Sequence, residues 1–154
     1  METLLKYAHE LVMFMAVATS MGGTILLFKL GKTDNVPALK AAFGLAIPTV
    51  KSISPQYGVG TLLGLVTAWV MGYNLLATWL VAAYVLTLIS AVFGGMSTRW
   101  VLKVATLAET NVGDTPSPEL KKALTDPFIR NLRILDSVFL VLFLALMVFR
   151  PSLW

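Results

Sequence analysis

The chain has 154 residues, of which 57% are apolar and 13% are charged, and its mean hydropathy is +0.80. Soluble domains carry roughly 25% charged residues, so this composition indicates a membrane protein with a single domain, residues 1–154. The absence of cysteine excludes disulfides, iron–sulfur clusters and thiolate metal sites. The net charge of +4 comes from Lys and Arg residues beside apolar segments, where they act as topology signals, so we do not expect nucleic-acid binding.

The first apolar segment is long enough to cross a bilayer, because a hydrocarbon core of about 30 Å needs about 20 helical residues. It runs from about residue 4 to 28. A polar connection follows at about residues 29–56, and Pro37, Pro48 and Pro55 interrupt it. Because each proline disfavours helix at the residue before it, we expect only short helices at the membrane surface in this connection.

The segment from Gln56 to Thr98 contains no charged residue and is too long for one span. Glycine and asparagine end helices at low cost in a left-handed conformation, so the break should fall at Gly72-Tyr73-Asn74. This gives a helical hairpin with helices at about residues 57–71 and 75–98. The second of these is predicted to continue past Arg99 as the chain leaves the membrane.

The last apolar helix follows a second polar connection at about residues 99–126. Ser117-Pro118 and Asp126-Pro127 are each typical of an N-cap residue followed by proline in the first turn. The helix is therefore predicted at about residues 127–149. The fold class that follows is all-α, an integral membrane four-helix bundle.

The cations are distributed unequally along the chain. Of its 12 Lys and Arg residues, only Lys6 and Arg150 lie outside the two stretches Lys29–Lys51 and Arg99–Arg133. Short cytoplasmic loops are enriched in Lys and Arg. We therefore expect both connections to be cytoplasmic, with both termini and the Gly72 turn on the outer, non-cytoplasmic side.

The only histidine of the chain, His9, lies in the stretch KYAHELVMF near the start of the first helix. On a helix its face continues through Met13, Ala16, Ser20 and Gly23, which are mostly small residues. Small residues allow a neighbouring helix to approach closely. His9 is therefore predicted to point into the bundle.

The topology places Met71, Tyr73 and Met147 at the same level as His9. Imidazole, thioether and phenol groups are established ligands of haem iron or copper. The predicted cofactor-binding residues are thus His9, Met71, Tyr73 and Met147, with His9 as the metal ligand. A single histidine leaves three arrangements, namely His9 alone, His9 with Met71 or Met147, or two copies of His9 across a dimer. In the alternative interpretation, His9 is an interfacial residue bonded to water, a neighbour or lipid headgroups.

Three charged residues, Arg130, Arg133 and Asp136, enter the last helix at spacings of three. This spacing can bring Arg133 and Asp136 together on one face. Arg133 is a candidate for binding an anionic headgroup or a cofactor propionate. In the alternative interpretation, the charges at the start of the helix neutralise one another and help to fix the topology. Placing the Glu10 carboxylate inside a membrane costs free energy, so the residue needs a partner or a function. The simpler interpretation is that Glu10 contacts water or Lys6.

Glycine pairs at Gly22-Gly23 and Gly94-Gly95, and the stretch GVGTLLG from Gly58 to Gly64, are predicted to mark close helix crossings. The sequence contains no phosphate loop, catalytic triad or carboxylate cluster. An enzyme that works without a cofactor is therefore not expected, and whether the chain is an enzyme at all is left open.

The stretch YAHELVMFMAVATSMGG, the hairpin GTLLGLVTAWVMGYNLLATWL and the final VFRP resemble a small four-helix integral-membrane family of unknown function. That family is grouped with the copper-resistance protein D superfamily, whose relatives include the membrane-embedded, haem-dependent protoporphyrinogen oxidase. The resemblance covers most of the chain and implies a haem b site with His9 as the iron ligand. The oxidase pattern has a lysine just after a tryptophan, whereas Leu80 follows Trp79 here, so the resemblance does not extend to protoporphyrinogen oxidation.

Our leading expectation is a small haem-associated or redox-associated integral membrane protein, with a role in electron transfer. One alternative is a non-catalytic structural or accessory subunit of a larger membrane complex. A weaker alternative, which the copper-resistance relatives also imply, is a carrier of a metal ion or small solute. The expected surroundings are the lipid bilayer of a bacterial inner (cytoplasmic) membrane, with a homo-oligomer or a larger membrane-protein complex as partner.

Overall fold

The computed structural model describes residues 2–150. Its helices are α1 (Glu2–Leu30), α2 (Val36–Val70), α3 (Thr78–Thr110), α4 (Pro118–Leu124) and α5 (Pro127–Phe149), and this part of the chain contains no strand. The four segments that contain α1, α2, α3 and α5 are each long and apolar enough to cross a membrane. The predictions of an all-α protein and of four segments long and apolar enough to span a membrane are therefore confirmed.

The four long helices alternate in direction, because each is joined to the next by a link that turns the chain back. One end of the bundle, called the turn end below, holds the start of α1, the turn at residues 71–77 and the end of α5. The other end, called the loop end, holds the links at residues 31–35 and 111–117, together with α4. Large apolar side chains such as Leu62, Leu88 and Val148 are exposed on the outer faces, as lipid contact requires.

The turn between α2 and α3 forms where it was predicted. Gly72 has a positive φ of 69°, a conformation that glycine adopts without the steric cost of a Cβ. The prediction that α3 continues past Arg99 is also confirmed, since the helix ends at Thr110. The last helix has the predicted bounds, and the Asp126 side chain accepts a hydrogen bond from the Phe128 backbone N–H at 2.9 Å.

The polar connection predicted at residues 29–56 is wrong for most of its length, because α2 is continuous from Val36 to Val70. Asn35 caps its start, accepting a hydrogen bond from the Ala38 backbone N–H at 2.9 Å. Pro48 and Pro55 lie inside the helix rather than ending it. Packing of the first turns of α2 against the neighbouring helices outweighs the cost of the two missing backbone donors.

A closely packed apolar cluster at the loop end explains why α2 begins so early. The first turns of α2 pack against the last turns of α1 and α3 and against α4. The buried members of this cluster are Leu27, Leu30, Val36, Leu39, Phe43, Ala46, Val101, Val104, Ala105, Ala108, Leu120 and Leu124. At about 1.5 Å per residue, the 35 residues of α2 extend about 52 Å, which exceeds the membrane core and leaves this cluster beyond it.

The glycine pairs do not mark the closest helix crossing. A Cβ built on Gly22, Gly23, Gly94 or Gly95 meets no atom of the described residues within 4 Å, so the prediction of close crossings at these pairs is wrong. The close approach is instead between α1 and the Gly58–Gly64 stretch of α2, as predicted for that stretch. There, Met13 and His9 of α1 occupy the space that side chains at Gly60 and Gly64 would fill.

Candidate functional site

A cavity of about 350 Å³ lies inside the turn end of the bundle. We call it the His9 cavity. Its walls come from α1, α2, α3 and α5, and they include four of the five residues that were predicted to bind a cofactor, namely His9, Met71, Tyr73 and Met147. Its volume is within the range of cavities that bind small molecules.

The imidazole of His9 is held by the backbone of the neighbouring helix. Its Nδ1 lies 2.8 Å from the carbonyl oxygen of Gly60. A carbonyl oxygen only accepts hydrogen bonds, so Nδ1 carries the hydrogen of the neutral ring. The lone pair of the neutral imidazole is therefore on Nε2, which is the atom left to bind a metal or accept a proton. This geometry confirms that His9 points into the bundle.

Two glycines on α2 make room for the imidazole and for its neighbour on α1. A Cβ at Gly64 would lie 2.7 Å from Cε1 of His9 and 3.1 Å from Nδ1. A Cβ at Gly60 would overlap Sδ of Met13. Gly60 and Gly64 are thus functional residues that the analysis of single side chains missed, although their spacing of four in GVGTLLG was the signal that could have found them.

Methionine sulfur atoms are the other soft donors in this cavity. Met13 is buried, and Met71 and Met147 are half-buried at its walls. Met13 packs in an apolar cluster with Ala83 and Phe143, which closes the floor of the cavity. Thioether sulfur accepts hydrogen bonds only weakly and is an established metal ligand. Met71 and Met147 therefore stay candidates for a weaker second ligand.

Tyr73 is engaged with the end of α5. Its hydroxyl oxygen accepts a hydrogen bond from Arg150 Nη1 at 2.6 Å. The guanidinium also lies over the rings of Tyr73 and Trp79, at 5.0 Å and 5.6 Å from their centroids. Tyr73 therefore fixes the end of α5 against the turn, and its oxygen is less free to bind a metal than the sequence suggested.

Two cations, Lys6 and Arg150, and one carboxylate, that of Glu10, line the His9 cavity. Lys6 Nζ lies 3.7 Å from a carboxylate oxygen of Glu10, with both side chains substantially exposed. The predicted contact between Glu10 and Lys6 is thus present, and Glu10 needs no further role. Lys6 and Arg150 give the cavity a positive edge.

Arg133, the fifth predicted cofactor-binding residue, is not in the His9 cavity. It lines a separate cavity of about 1070 Å³ toward the loop end, together with Asp136, and we call this the Arg133 cavity. Among the described residues, ion pairs within 4.0 Å join Lys6 to Glu10 and Lys121 to Asp34, but not Arg133 to Asp136. The guanidinium of Arg133 instead lies 5.6 Å from the ring centroid of Trp100.

The two cavities share a wall. Thr61 of α2 and Thr87 of α3 line both of them. The hydroxyl of each threonine donates to a backbone carbonyl of its own helix, that of Tyr57 or Ala83, at 2.8 Å. One layer of side chains therefore separates the two cavities within the bundle.

The donor set around His9 limits the kind of metal group that fits. No group of three or more His, Cys, Asp or Glu side chains that could hold a metal ion occurs in residues 2–150. A bare ion at His9 would lack the three or four protein ligands that transition metals usually have. A haem brings its own equatorial ligands and needs only one protein imidazole, so the residues present fit a haem better than a free ion.

Comparison of the chain with protein-family models, with curated proteins and with solved structures finds no match. The family resemblance therefore stays a prediction.

Proposed function

We propose that this protein is a small haem-associated membrane protein with a role in electron transfer, and that His9 binds the iron through Nε2. The observation that supports this most is the hydrogen bond from His9 Nδ1 to the Gly60 carbonyl. Histidines that bind metals almost always donate their other ring N–H to a carbonyl or carboxylate, which fixes the tautomer and the ring orientation. Haem b, when bound, supplies one-electron redox chemistry.

The other residues of the His9 cavity have supporting roles in this proposal. Lys6 and Arg150 line the same cavity and are suited to pair with propionate groups, which Arg133 cannot do from the neighbouring cavity. Met71 or Met147 offers a thioether as a second axial ligand. Met13, Ala83 and Phe143 form the apolar floor that keeps water from the inner side of the imidazole.

The test is an absorption spectrum of the purified protein, oxidised and reduced, after expression with ample haem. The parent should show a Soret band and His9→Ala should lose it. Leu11→Ala is the matched control, because Leu11 lies two residues further along α1, is exposed and does not line the His9 cavity. A parent without a Soret band, or an unchanged band in His9→Ala, would contradict the proposal.

A second candidate function is that of an accessory subunit in a larger membrane complex. The observation in its favour is the open space at Gly22, Gly23, Gly94 and Gly95, where a helix of another chain, or of a second copy, has room to approach. Copurification of a stoichiometric membrane partner with a colourless protein would favour this candidate. The carrier function would instead require a change in accumulation of a metal ion or small solute on deletion of the protein.

A further inference from the structure

The Arg133 cavity, of about 1070 Å³, carries buried polar groups, and the proposed function does not use it. Its walls come from α1, α2, α3 and α5, and they are mostly small or apolar residues. They include the glycines Gly22, Gly23, Gly94 and Gly95, the phenol of Tyr57 and the charged residues Arg99, Arg133 and Asp136.

Three of its polar atoms are buried without a hydrogen-bond partner among the described residues. They are Oη of Tyr57, Nε of Arg133 and Oδ1 of Asp136. Arg133 is only 8% exposed, so its guanidinium cannot turn to bulk water. Unpaired buried polar groups are costly, and native proteins pair them with protein atoms, water or a ligand. The cavity therefore presents two donors and one acceptor to an occupant that is able both to accept and to donate.

The Asp136 carboxylate limits the occupant to a molecule that can donate a hydrogen bond. Asp136 Oδ1 and Arg133 Nε line the same cavity, three residues apart on α5. A lipid phosphodiester has no hydrogen to donate and carries the same sign of charge as the carboxylate, so it would leave Asp136 unpaired. A neutral ring with hydroxyl groups both accepts and donates, and it can dissolve in lipid without the cost of burying a charge.

The shape of the cavity suits a flat ring. Gly22 and Gly23 on α1 and Gly94 and Gly95 on α3 have no atom of the described residues within 4 Å of a Cβ position, so no side chain fills the space beside these glycines. A planar group can enter such a space from the lipid while an apolar tail stays outside. Trp100 lies under the Arg133 guanidinium and helps to hold it at the cavity wall.

We propose that the Arg133 cavity binds the ring of a lipid-soluble quinone or quinol. A ring oxygen accepts hydrogen bonds from Arg133 and Tyr57, and a quinol hydroxyl donates to Asp136. This assignment satisfies all three unpaired atoms with one neutral ligand. It depends on the Arg133 cavity alone and stands independently of haem binding at His9, although Thr61 and Thr87 place the two cavities side by side.

The inference is tested with a photoactivatable azido-quinone added to the protein in phosphatidylcholine nanodiscs. Cross-linked peptides are identified by mass spectrometry, and decyl-ubiquinone or its reduced form, decyl-ubiquinol, is added as the competitor. We expect labelling in peptides that line the Arg133 cavity. We also expect at least a tenfold weaker competition constant for decyl-ubiquinone in Arg133→Gln and for decyl-ubiquinol in Asp136→Asn. Arg130→Gln is the matched control, since Arg130 is exposed one turn earlier on α5.

Two further variants and a competition with phosphatidylglycerol make the outcome decisive. Tyr57→Phe removes one donor at constant size and should weaken competition several-fold, so it carries the test if a charge variant fails to fold. His9→Ala should bind quinone like the parent, which separates this inference from the proposed function. The proposal would be overturned by labelling that decyl-ubiquinone does not displace, or by labelling that is equal in the parent and in Arg133→Gln. Either result would mean that water alone fills the cavity. Displacement by phosphatidylglycerol instead of quinone would also overturn the proposal.

Discussion

The imidazole of His9 on α1 donates a hydrogen bond to the carbonyl of Gly60 on α2, with 2.8 Å between Nδ1 and the oxygen. This contact sets the tautomer and the orientation of the ring. Gly64, one turn further along α2, leaves the space in which the ring lies. The chemistry proposed for His9 therefore depends on a backbone atom and on the absence of a side chain.

Gly64→Ala should displace the imidazole. The new Cβ would lie 2.7 Å from Cε1, so the ring must turn away and lose its bond to Gly60. Overpacking of this kind costs about 1–3 kcal/mol. We expect that loss in the free energy of unfolding, measured by SDS titration in mixed micelles, together with weaker haem binding. Gly58→Ala is the control, because its Cβ meets nothing within 4 Å, and an equal loss there would contradict the account.

Tyr73→Phe tests the attachment of α5 to the turn. The substitution removes the hydroxyl that accepts the 2.6 Å hydrogen bond from Arg150 but keeps the ring under the guanidinium. Because Arg150 is exposed, we expect a loss of about 0.5–1.5 kcal/mol in the free energy of unfolding. Tyr7→Phe, on an exposed face of α1, should change nothing. Equal stabilities of Tyr73→Phe and the parent would mean that the contact contributes nothing.

Pro48→Ala tests the continuity of α2. Proline inside a helix removes a backbone hydrogen bond and clashes with the preceding turn, at a cost of up to about 3 kcal/mol relative to alanine. Since α2 passes through Pro48, we expect the variant to keep the helical circular-dichroism signal of the parent and to unfold at higher SDS. Pro37→Ala, in the first turn where proline is well tolerated, should give no such gain. A less stable Pro48→Ala would show that the proline shapes a bend the fold needs.

The orientation of the bundle is a prediction from charge. The two cation-rich connections meet at the loop end, so one membrane side receives both. By the enrichment of Lys and Arg in short cytoplasmic loops, we expect the loop end to be cytoplasmic. A reporter active only outside the cytoplasm, inserted between Val112 and Thr115, should be inactive, and the same reporter fused at the N-terminus should be active. The reverse pattern would contradict the assignment.

The sequence was sufficient to predict the four spans, the Gly72 turn and the bounds of α5, because long apolar stretches and capping residues are local signals. It was not sufficient for α2. Proline rules for an isolated helix predict a break at Pro48, but packing of the first turns of α2 against α1, α3 and α4 keeps the helix continuous. The signal that did exist was Asn35 followed by Pro37, an N-cap with proline in the first turn.

The candidate site was predictable in part for a similar reason. Alternating topology was enough to place His9, Met71, Tyr73 and Met147 at one level, and they do line one cavity. Gly60 was not predictable as the partner of His9, since the register between α1 and α2 comes from packing rather than from any one residue. Arg133 was predicted to join the His9 site because its positive charge could pair with a propionate. Its position on α5 instead places it toward the loop end, in the other cavity.

The most direct test of the account is imidazole rescue in His9→Gly. The variant opens a space of imidazole size beside Gly60 and Gly64, and it removes the only histidine of the chain. We predict that the purified variant, titrated with haem, shows the spectrum of unbound haem, and that added imidazole restores the Soret position and the reduced bands of the parent. A parent-like spectrum in His9→Gly without imidazole would contradict the assignment of His9 as the iron ligand.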